Sequence, residues 1–289
     1  MRSEKINTAL LTGSKGFVGS HLYPKLVASG IKVTLLDRQQ GQDLTEASSF
    51  QDLGRQDLVI HLAATTFVPK STEVPGETYY NNIVSTLRVL EFCRREGVKK
   101  IIFMSSYVYG VPHALPVKEA HPALIMNPYG RSKVICEKLV LSYFEDYGIC
   151  PVVLRPFNIY GPGQASVFAV PSIIRQILES PQLEVKSTHH KRDYVFVEDV
   201  VEAILAVIEK YPFDQPEIFN VGTGKSYSIA EVISVAQRLA KTNKPVVVQS
   251  SGTVDPIEDC VADIRHIQNS LGWTPRFSLE AGLNRMLSK

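Results

Sequence analysis

What this chain of 289 residues lacks narrows its function first. No stretch approaches the roughly 20 consecutive apolar residues of a membrane-spanning helix, so no membrane segment is expected. The opening MRSEKINTALLTG has no long apolar run followed by a small-residue cleavage site, which argues against a secretory leader. Neither sign of charge is in excess: 31 Lys and Arg face 29 Asp and Glu, a net charge of +2. That balance argues against nucleic acid or another polyanion as a partner. The short runs Arg94-Arg95 and Lys99-Lys100 read as solvated helix ends and turns. Cysteine is scarce. Cys93, Cys136, Cys150 and Cys260 form no C-x-x-C pair and no metal-spaced set with His, so free thiols in a reducing compartment are expected. His189 and His190 are neighbours in a turn and do not face one ion together, so no metal site is expected. A cytoplasmic protein follows. Internal repeats and low-complexity tracts are also missing.

What is present is ordinary globular composition, 44% apolar and 21% charged, in a length that suits one large α/β domain or one with a smaller lobe. Short apolar runs predict buried strands at 6–12, 31–36, 58–62, 100–104 and 151–155. Helical spacing predicts helices at 17–29, 82–95 and 129–147 between them. Such alternation means a doubly wound parallel sheet with helices on both faces. Past Pro156 the pattern becomes irregular, with helices predicted at 171–179, 197–210 and 229–241. Residues 1–165 are therefore read as a dinucleotide-binding domain to which 195–221 returns. Residues 166–289 are read as a smaller, discontinuous substrate-binding lobe.

Three clusters carry chemistry. Gly13-Ser14-Lys15-Gly16-Phe17-Val18-Gly19 is G-x-x-G-x-x-G between a strand and a helix. Glycines let the backbone turn tightly against a pyrophosphate, and the helix N-terminus offers N–H groups and a positive dipole end. Asp37 ends the next strand, where a carboxylate binds the adenosine ribose hydroxyls and repels a 2′-phosphate; this favours NAD, while Arg38 beside it could accept NADP. Tyr129-x-x-x-Lys133 puts phenol and ammonium on one helix face. Asn127 and Pro128 suit the cap and first position, so the dipole and the ammonium are both expected to favour phenolate. Ser105-Ser106-Tyr107-Val108-Tyr109-Gly110 follows a strand at the sheet edge where ligands bind.

These pieces, in order, resemble the extended short-chain dehydrogenase/reductases, the NAD-dependent epimerase/dehydratase group of Rossmann enzymes. The resemblance covers TGSKGFVGSHL at 12–22, Asp43-Leu44, HLAA at 61–64, Asn82, SSYVYG, PYGRSK at 128–133, RPFNIYGPGQ at 155–164, RDYVFVEDV at 192–200, FNVGTG at 219–224 and LGWTP at 271–275. It implies a catalytic triad. Tyr129 would be the general acid/base, Lys133 would hold the nicotinamide ribose and lower the tyrosine pKa, and Ser105 would orient the sugar oxygen. It places Asp43 and Leu44 at the adenine, and Leu62, Ala63, Ala64, Asn82 and Pro156 along the cofactor. Ser106, Asn158 and Arg192 would contact a nucleotide-sugar, the last two at its diphosphate. A surface ion pair with Asp193 or Asp199 is the plainer reading of Arg192. The resemblance also implies a homodimer built on helices 82–95 and 129–147.

The chain departs from the pattern in places. Ser106 and Tyr107 stand where dehydratases carry Asp-Glu, which sets dehydration aside. Residues 254–259 hold Asp255, Glu258 and Asp259, with no Arg for the second phosphate, which argues against a standard diphosphate grip; Lys186 and Lys191, before Arg192, are the candidates to compensate. Two enzyme functions remain: a nucleotide-sugar epimerase, at C4, with retained NAD, and an NAD(P)H-dependent 4-keto-6-deoxysugar reductase. A non-catalytic dinucleotide sensor or scaffold is the reading from another class, and it would be marked by loss of the triad.

Overall fold

The apolar runs fold as parallel strands. The computed structural model describes residues 5–249 and 255–288. In chain order its main elements are β1 (Thr8–Thr12), α1 (Phe17–Ala28), β2 (Lys32–Leu36), β3 (Leu58–His61), α2 (Val68–Glu73), α3 (Pro75–Tyr79), α4 (Ser85–Glu96), β4 (Lys100–Met104), α5 (Pro128–Tyr147) and β5 (Cys150–Pro156). There follow β6 (Asn158–Tyr160), α6 (Ala169–Glu179), β7 (Leu183–Val185), β8 (Lys191–Phe196), α7 (Val197–Lys210), β9 (Glu217–Val221), β10 (Ser226–Ser228), α8 (Ile229–Leu239), β11 (Val246–Val248), β12 (Asp259–Cys260), α9 (Arg265–Leu271) and α10 (Leu279–Leu287).

The chain divides into two units. The first comprises residues up to Gly110, Pro122–Arg155 and Val201–Phe219. Its sheet has the order β2-β1-β3-β4-β5-β9, parallel from β2 through β5. Leu10, Val59, Ile101, Phe103 and Val153 on the strands bury against Val89, Leu90 and Phe92 of α4 and Cys136 and Val140 of α5. The register sets Thr12 beside both Leu36 and His61. The ends of β1, β2 and β3 thus share one sheet edge, and the order reverses at β1, which makes that edge a switch point where ligands bind in such folds.

Among the described residues, the second unit comprises Val111–His121, Pro156–Val200 and those from Asn220 onward. β8 is its hub, parallel to β6 and β12 and antiparallel to β10. Helices α6, α8 and α10 bury Ile173, Ile177, Val232, Ala236 and Leu283 in its core. The boundary falls at Arg155 and not at 165, and the return to the first unit starts at Val201 and not at 195. Residues 111–121 were also expected in the first unit. They join the second because Val117 N–H bonds Val261 O and Asp263 N–H bonds Val117 O, both at 2.8 Å.

Candidate active site

The glycine turn is built for close approach. Gly13 has φ of +72°, and a Cβ there would stand 2.8 Å from Ala63 N; a Cβ on Gly19 would collide with Gly13 O. The first collision is with the backbone that follows β3, the second with the turn itself, so neither neighbour yields cheaply. Ser14 Oγ is buried in the turn with no hydrogen-bond partner among the described residues. An orphaned hydroxyl in a turn with its glycines pressed flat is a fit for a ligand's phosphate oxygens. Gly19→Ala is expected to destabilise the protein by about 1–3 kcal/mol through overpacking and to abolish dinucleotide binding. Thermal melting and nicotinamide-fluorescence titration check this; a variant that binds NAD normally would contradict it.

Asp37 is 6% exposed. Its carboxylate accepts the Lys15 N–H at 2.8 Å and the Gln39 N–H at 2.9 Å, so it is anchored to the glycine turn. Arg38 donates from Nη2 to Asp43 Oδ2 at 3.0 Å and to Asn81 Oδ1 at 3.4 Å. Asp43 also accepts the Thr45 N–H and hydroxyl, both at 2.9 Å. The Thr45 N–H above all, with Arg38 adding to it, holds the Asp43 carboxyl below its ordinary range. Asp43 and Leu44, the residues expected at the adenine, are both fixed by neighbours within the chain. The Asp43 carboxylate is engaged by Thr45 and Arg38, and the Leu44 side chain is buried in the core.

Asn82, expected along the cofactor, is bonded within the chain. Its Oδ1 accepts the Thr65 N–H at 2.7 Å and its Nδ2 donates to Thr65 O at 3.2 Å and Ser132 Oγ at 2.8 Å. It is 2% exposed, and its amide braces the Thr65 backbone against α5. It sits in a π-helical turn, Tyr80–Val84, that opens α4; such insertions recur at functional sites.

On α5 the cap is as expected. Asn127 accepts the Gly130 N–H at 2.8 Å, with Pro128 in the first turn. Tyr129 therefore lies beside the positive end of the helix. Its phenol is nonetheless pushed up to about 12 by burial, against a lowering hydrogen bond with the Ser106 side chain. The expectation that dipole and ammonium favour phenolate is thus reversed by desolvation. Lys133 is 3% exposed. It donates from Nζ to Met104 O at 2.7 Å and lies 4.7 Å from the centre of the Phe103 ring. Burial drives its ammonium down to about 8, against the pull of Cys136 and Glu137.

The two serines take different partners. Ser105 is 3% exposed and its Oγ donates to Glu137 Oε1 at 2.5 Å. Ser106 is the serine bonded to Tyr129. Neighbours in extended backbone point to opposite sides, so only one of the pair reaches the phenol.

In the second unit, Asn158 Oδ1 is buried without a hydrogen-bond partner among the described residues. Arg192 does not pair with Asp193 or Asp199; it donates from Nη2 to Asp255 Oδ2 at 2.5 Å and from Nη1 to Lys191 O at 2.7 Å. The two aspartates of the RDYVFVEDV run are structural anchors. Asp193 accepts from Thr223 N, Thr223 Oγ1, Gly224 N and Ala262 N at 2.7–3.2 Å. Asp199 accepts from Arg276 N and Phe277 N at 2.8 and 3.1 Å. His189 and His190 stack ring on ring at 4.1 Å, and the four cysteines are free thiols, all buried.

A glycine turn at the switch point of a parallel sheet, with Tyr129 and Lys133 on the helix after β4, defines a Rossmann enzyme that works with a nicotinamide dinucleotide. The chain belongs to the NAD dependent epimerase/dehydratase family, whose model matches residues 9–222. It is 33% identical to the GDP-6-deoxy-D-mannose reductase of Pseudomonas aeruginosa, over 96% of this chain and 95% of that one. Among solved structures it resembles RMD of Pseudomonas aeruginosa complexed with NADPH (TM-score 0.90, 31% identity, 98% of each chain). It also resembles the UDP-glucose 4-epimerase of Thermotoga maritima with UDP-glucose (TM-score 0.92, 29% identity, 97% of each chain).

Proposed function

We propose that the protein is a nucleotide-sugar 4-epimerase that retains NAD. The observation that carries this is the state of Asp37 and Arg38. The carboxylate expected to face an adenosine ribose is anchored on the glycine turn, and Arg38, next to it in the chain, is held by Asp43 and Asn81. A 2′-phosphate would meet Asp37 and would have to displace Asp43 from Arg38, so NADP is disfavoured. The Thermotoga relative acts on a UDP-sugar, which supports a UDP-sugar as substrate.

In this reading Gly13, Gly16, Gly19, Ser14 and Asp37 hold the cofactor. Bound there, NAD would supply the hydride acceptor and donor for the sugar's C4. Tyr129 Oη takes the proton of the C4 hydroxyl and later returns it. Ser106 Oγ orients the same oxygen, and Lys133 supplies positive charge behind the phenol. Asn158 and Arg192 serve the nucleotide diphosphate, with Asp255 the group that Arg192 must exchange for it.

The test is incubation of the purified protein with UDP-glucose or UDP-galactose and no added cofactor. Interconversion at C4 is expected. The reductase reading is favoured by the Pseudomonas relative; conversion only of a nucleotide 4-keto-6-deoxysugar, and only with added NADH or NADPH, would establish it and overturn the epimerase. A sensor or scaffold would convert neither, and the presence of Tyr129 and Lys133 in family spacing speaks against one.

A cytoplasmic homodimer completes the proposal. No helix among the described residues is long and apolar enough to cross a membrane, and the free buried thiols suit a reducing compartment. Leu87 on α4 and Ile135 on α5 are exposed apolar side chains, 38% and 39%, on the two helices expected to pair. Leu87→Lys with Ile135→Lys is expected to convert a dimer to a monomer in sedimentation; an unchanged mass would contradict the interface.

A further inference from the structure

Tyr129, Lys133 and Glu137 are spaced by four along α5 and share its inner face. The proposed reaction uses the first two. Glu137 is 4% exposed and makes a buried bidentate pair with Arg155, which donates from Nε to Oε1 at 3.0 Å and from Nη2 to Oε2 at 2.6 Å. Ser105 Oγ donates to the same Oε1. From its other side Arg155 donates from Nη1 to Tyr109 Oη at 3.1 Å, and its Cζ lies 5.1 Å from the Tyr109 ring centre. Ser105 and Tyr109 are the two ends of the segment that carries Ser106. Beyond them, a Cβ on Gly110 would collide with Leu124 O.

Burying an ion pair contributes little stability compared with well-packed apolar side chains of the same volume. Its worth here lies in what it holds. We infer that Glu137 is a positioning residue, and that it clamps Ser105 directly and Tyr109 through Arg155, so that the Ser106 hydroxyl stays in register with Tyr129. Phenol and hydroxyl then hang from one helix, Tyr129 directly and Ser106 through the clamp. Misplacement of a reacting group by about 1 Å costs on the order of 10²-fold in rate. The carboxylate also favours the charged form of Lys133, one turn away.

The inference rests on the reading that Tyr129 and Ser106 carry the acid–base chemistry, and the experiment separates the two. Removing Glu137 or Arg155 strands a buried charge and risks misfolding. The variants are therefore Ser105→Ala and Tyr109→Phe, each deleting one hydroxyl of the clamp, with Ser105→Thr as the conservative rescue and Tyr129→Phe and Ser106→Ala as controls. Measured are kcat and KM, the pH–rate profile, NAD affinity by fluorescence and the melting temperature.

The expected result is a kcat lower by about 10-fold to 100-fold in Ser105→Ala and Tyr109→Phe. KM and NAD affinity should change less than about 3-fold and the ascending limb of the pH profile should move to higher pH, since a misplaced Ser106 no longer lowers the phenol. Ser105→Thr should restore the rate. If Tyr129→Phe turns over normally, the underlying reading fails. If Tyr129→Phe is inactive but both clamp variants keep wild-type kcat, the clamp is overturned. A loss that tracks melting temperature and NAD affinity, or a Ser106→Ala variant of full activity beside an inactive Ser105→Ala, overturns it equally.

Discussion

Replacement of Tyr129 by phenylalanine is expected to lower kcat by about 10²–10⁴-fold, the usual contribution of a positioned acid–base group. The ring remains, so the packing against α2, where the Tyr129 N–H bonds Ser71 Oγ at 3.3 Å, survives. Cofactor affinity and melting temperature should stay near wild type. Three neighbouring groups are not placed to take over the proton. Ser106 has a hydroxyl too weakly acidic for the task, Lys133 Nζ is directed to Met104 O, and the Ser105 hydroxyl is committed to Glu137. Burial keeps the phenol protonated at neutral pH, at about 12 in the free protein. Turnover that starts by removing a sugar proton should therefore rise with pH across the neutral range, as the basic form grows. Steady-state kinetics between pH 6 and 9 on wild type and variant check both statements; a variant with full activity would remove Tyr129 from the reaction.

The second large effect is on stability. His61, 1% exposed, is bonded on both ring nitrogens, to Thr12 Oγ1 at 2.7 Å and to Thr86 Oγ1 at 3.1 Å. Burial, with the Lys133 charge adding to it, pushes the imidazole down to about 3. A group whose pKa is lower in the folded state stabilises fully above its unfolded value of about 6.5 and loses that contribution as pH falls toward the folded value. The loss from His61 alone is about 4 kcal/mol by pH 3, and about 3 kcal/mol by pH 4. Asp193 and Asp199, whose carboxyls burial pushes up, act in the opposite sense in acid, so the informative quantity is a difference. Urea unfolding of wild type and His61→Gln at pH 7 and pH 4 should show wild type losing about 3 kcal/mol more than the variant. Parallel losses would show that His61 does not stay neutral in the fold.

How much of this was legible in the sequence depends on length and on what each signal measures. Strands β1, β3, β4 and β5 were readable because buried parallel strands are continuous apolar runs between glycine and polar stops; β2 was expected to be buried as well, but as an edge strand it leaves Lys32 exposed and Val33, Thr34 and Leu35 half-buried. The glycine turn, Asp37 and the Asn127-Pro128 start of α5 were readable because backbone chemistry demands those residues there. Strands β6, β7, β10 and β11 span three residues each, too short for a period of two to register. The opening of α4 as a π-turn leaves no mark in side-chain periodicity.

Within the site, the motif located the serine pair but not which member faces the phenol, since alternation is read only once the strand direction is known. Dipole and ammonium were visible near Tyr129, whereas the burial that outweighs them is a property of the packed fold. Glu137 in mid-helix reads as a surface acid until Arg155, at the end of β5, is seen beside it.

The most direct test of the account is the cofactor content of freshly purified protein. The chain is denatured and removed, and any nicotinamide dinucleotide released is identified and quantified. An epimerase takes its hydride back in every cycle and has no need to exchange cofactor. With Asp37 anchored in the glycine turn and Arg38 held by Asp43, the expected result is NAD, close to one per chain. A protein that arrives empty, or that binds NADPH in preference to NADH, would contradict the account, showing that Arg38 outweighs Asp37 and that the enzyme reduces its substrate.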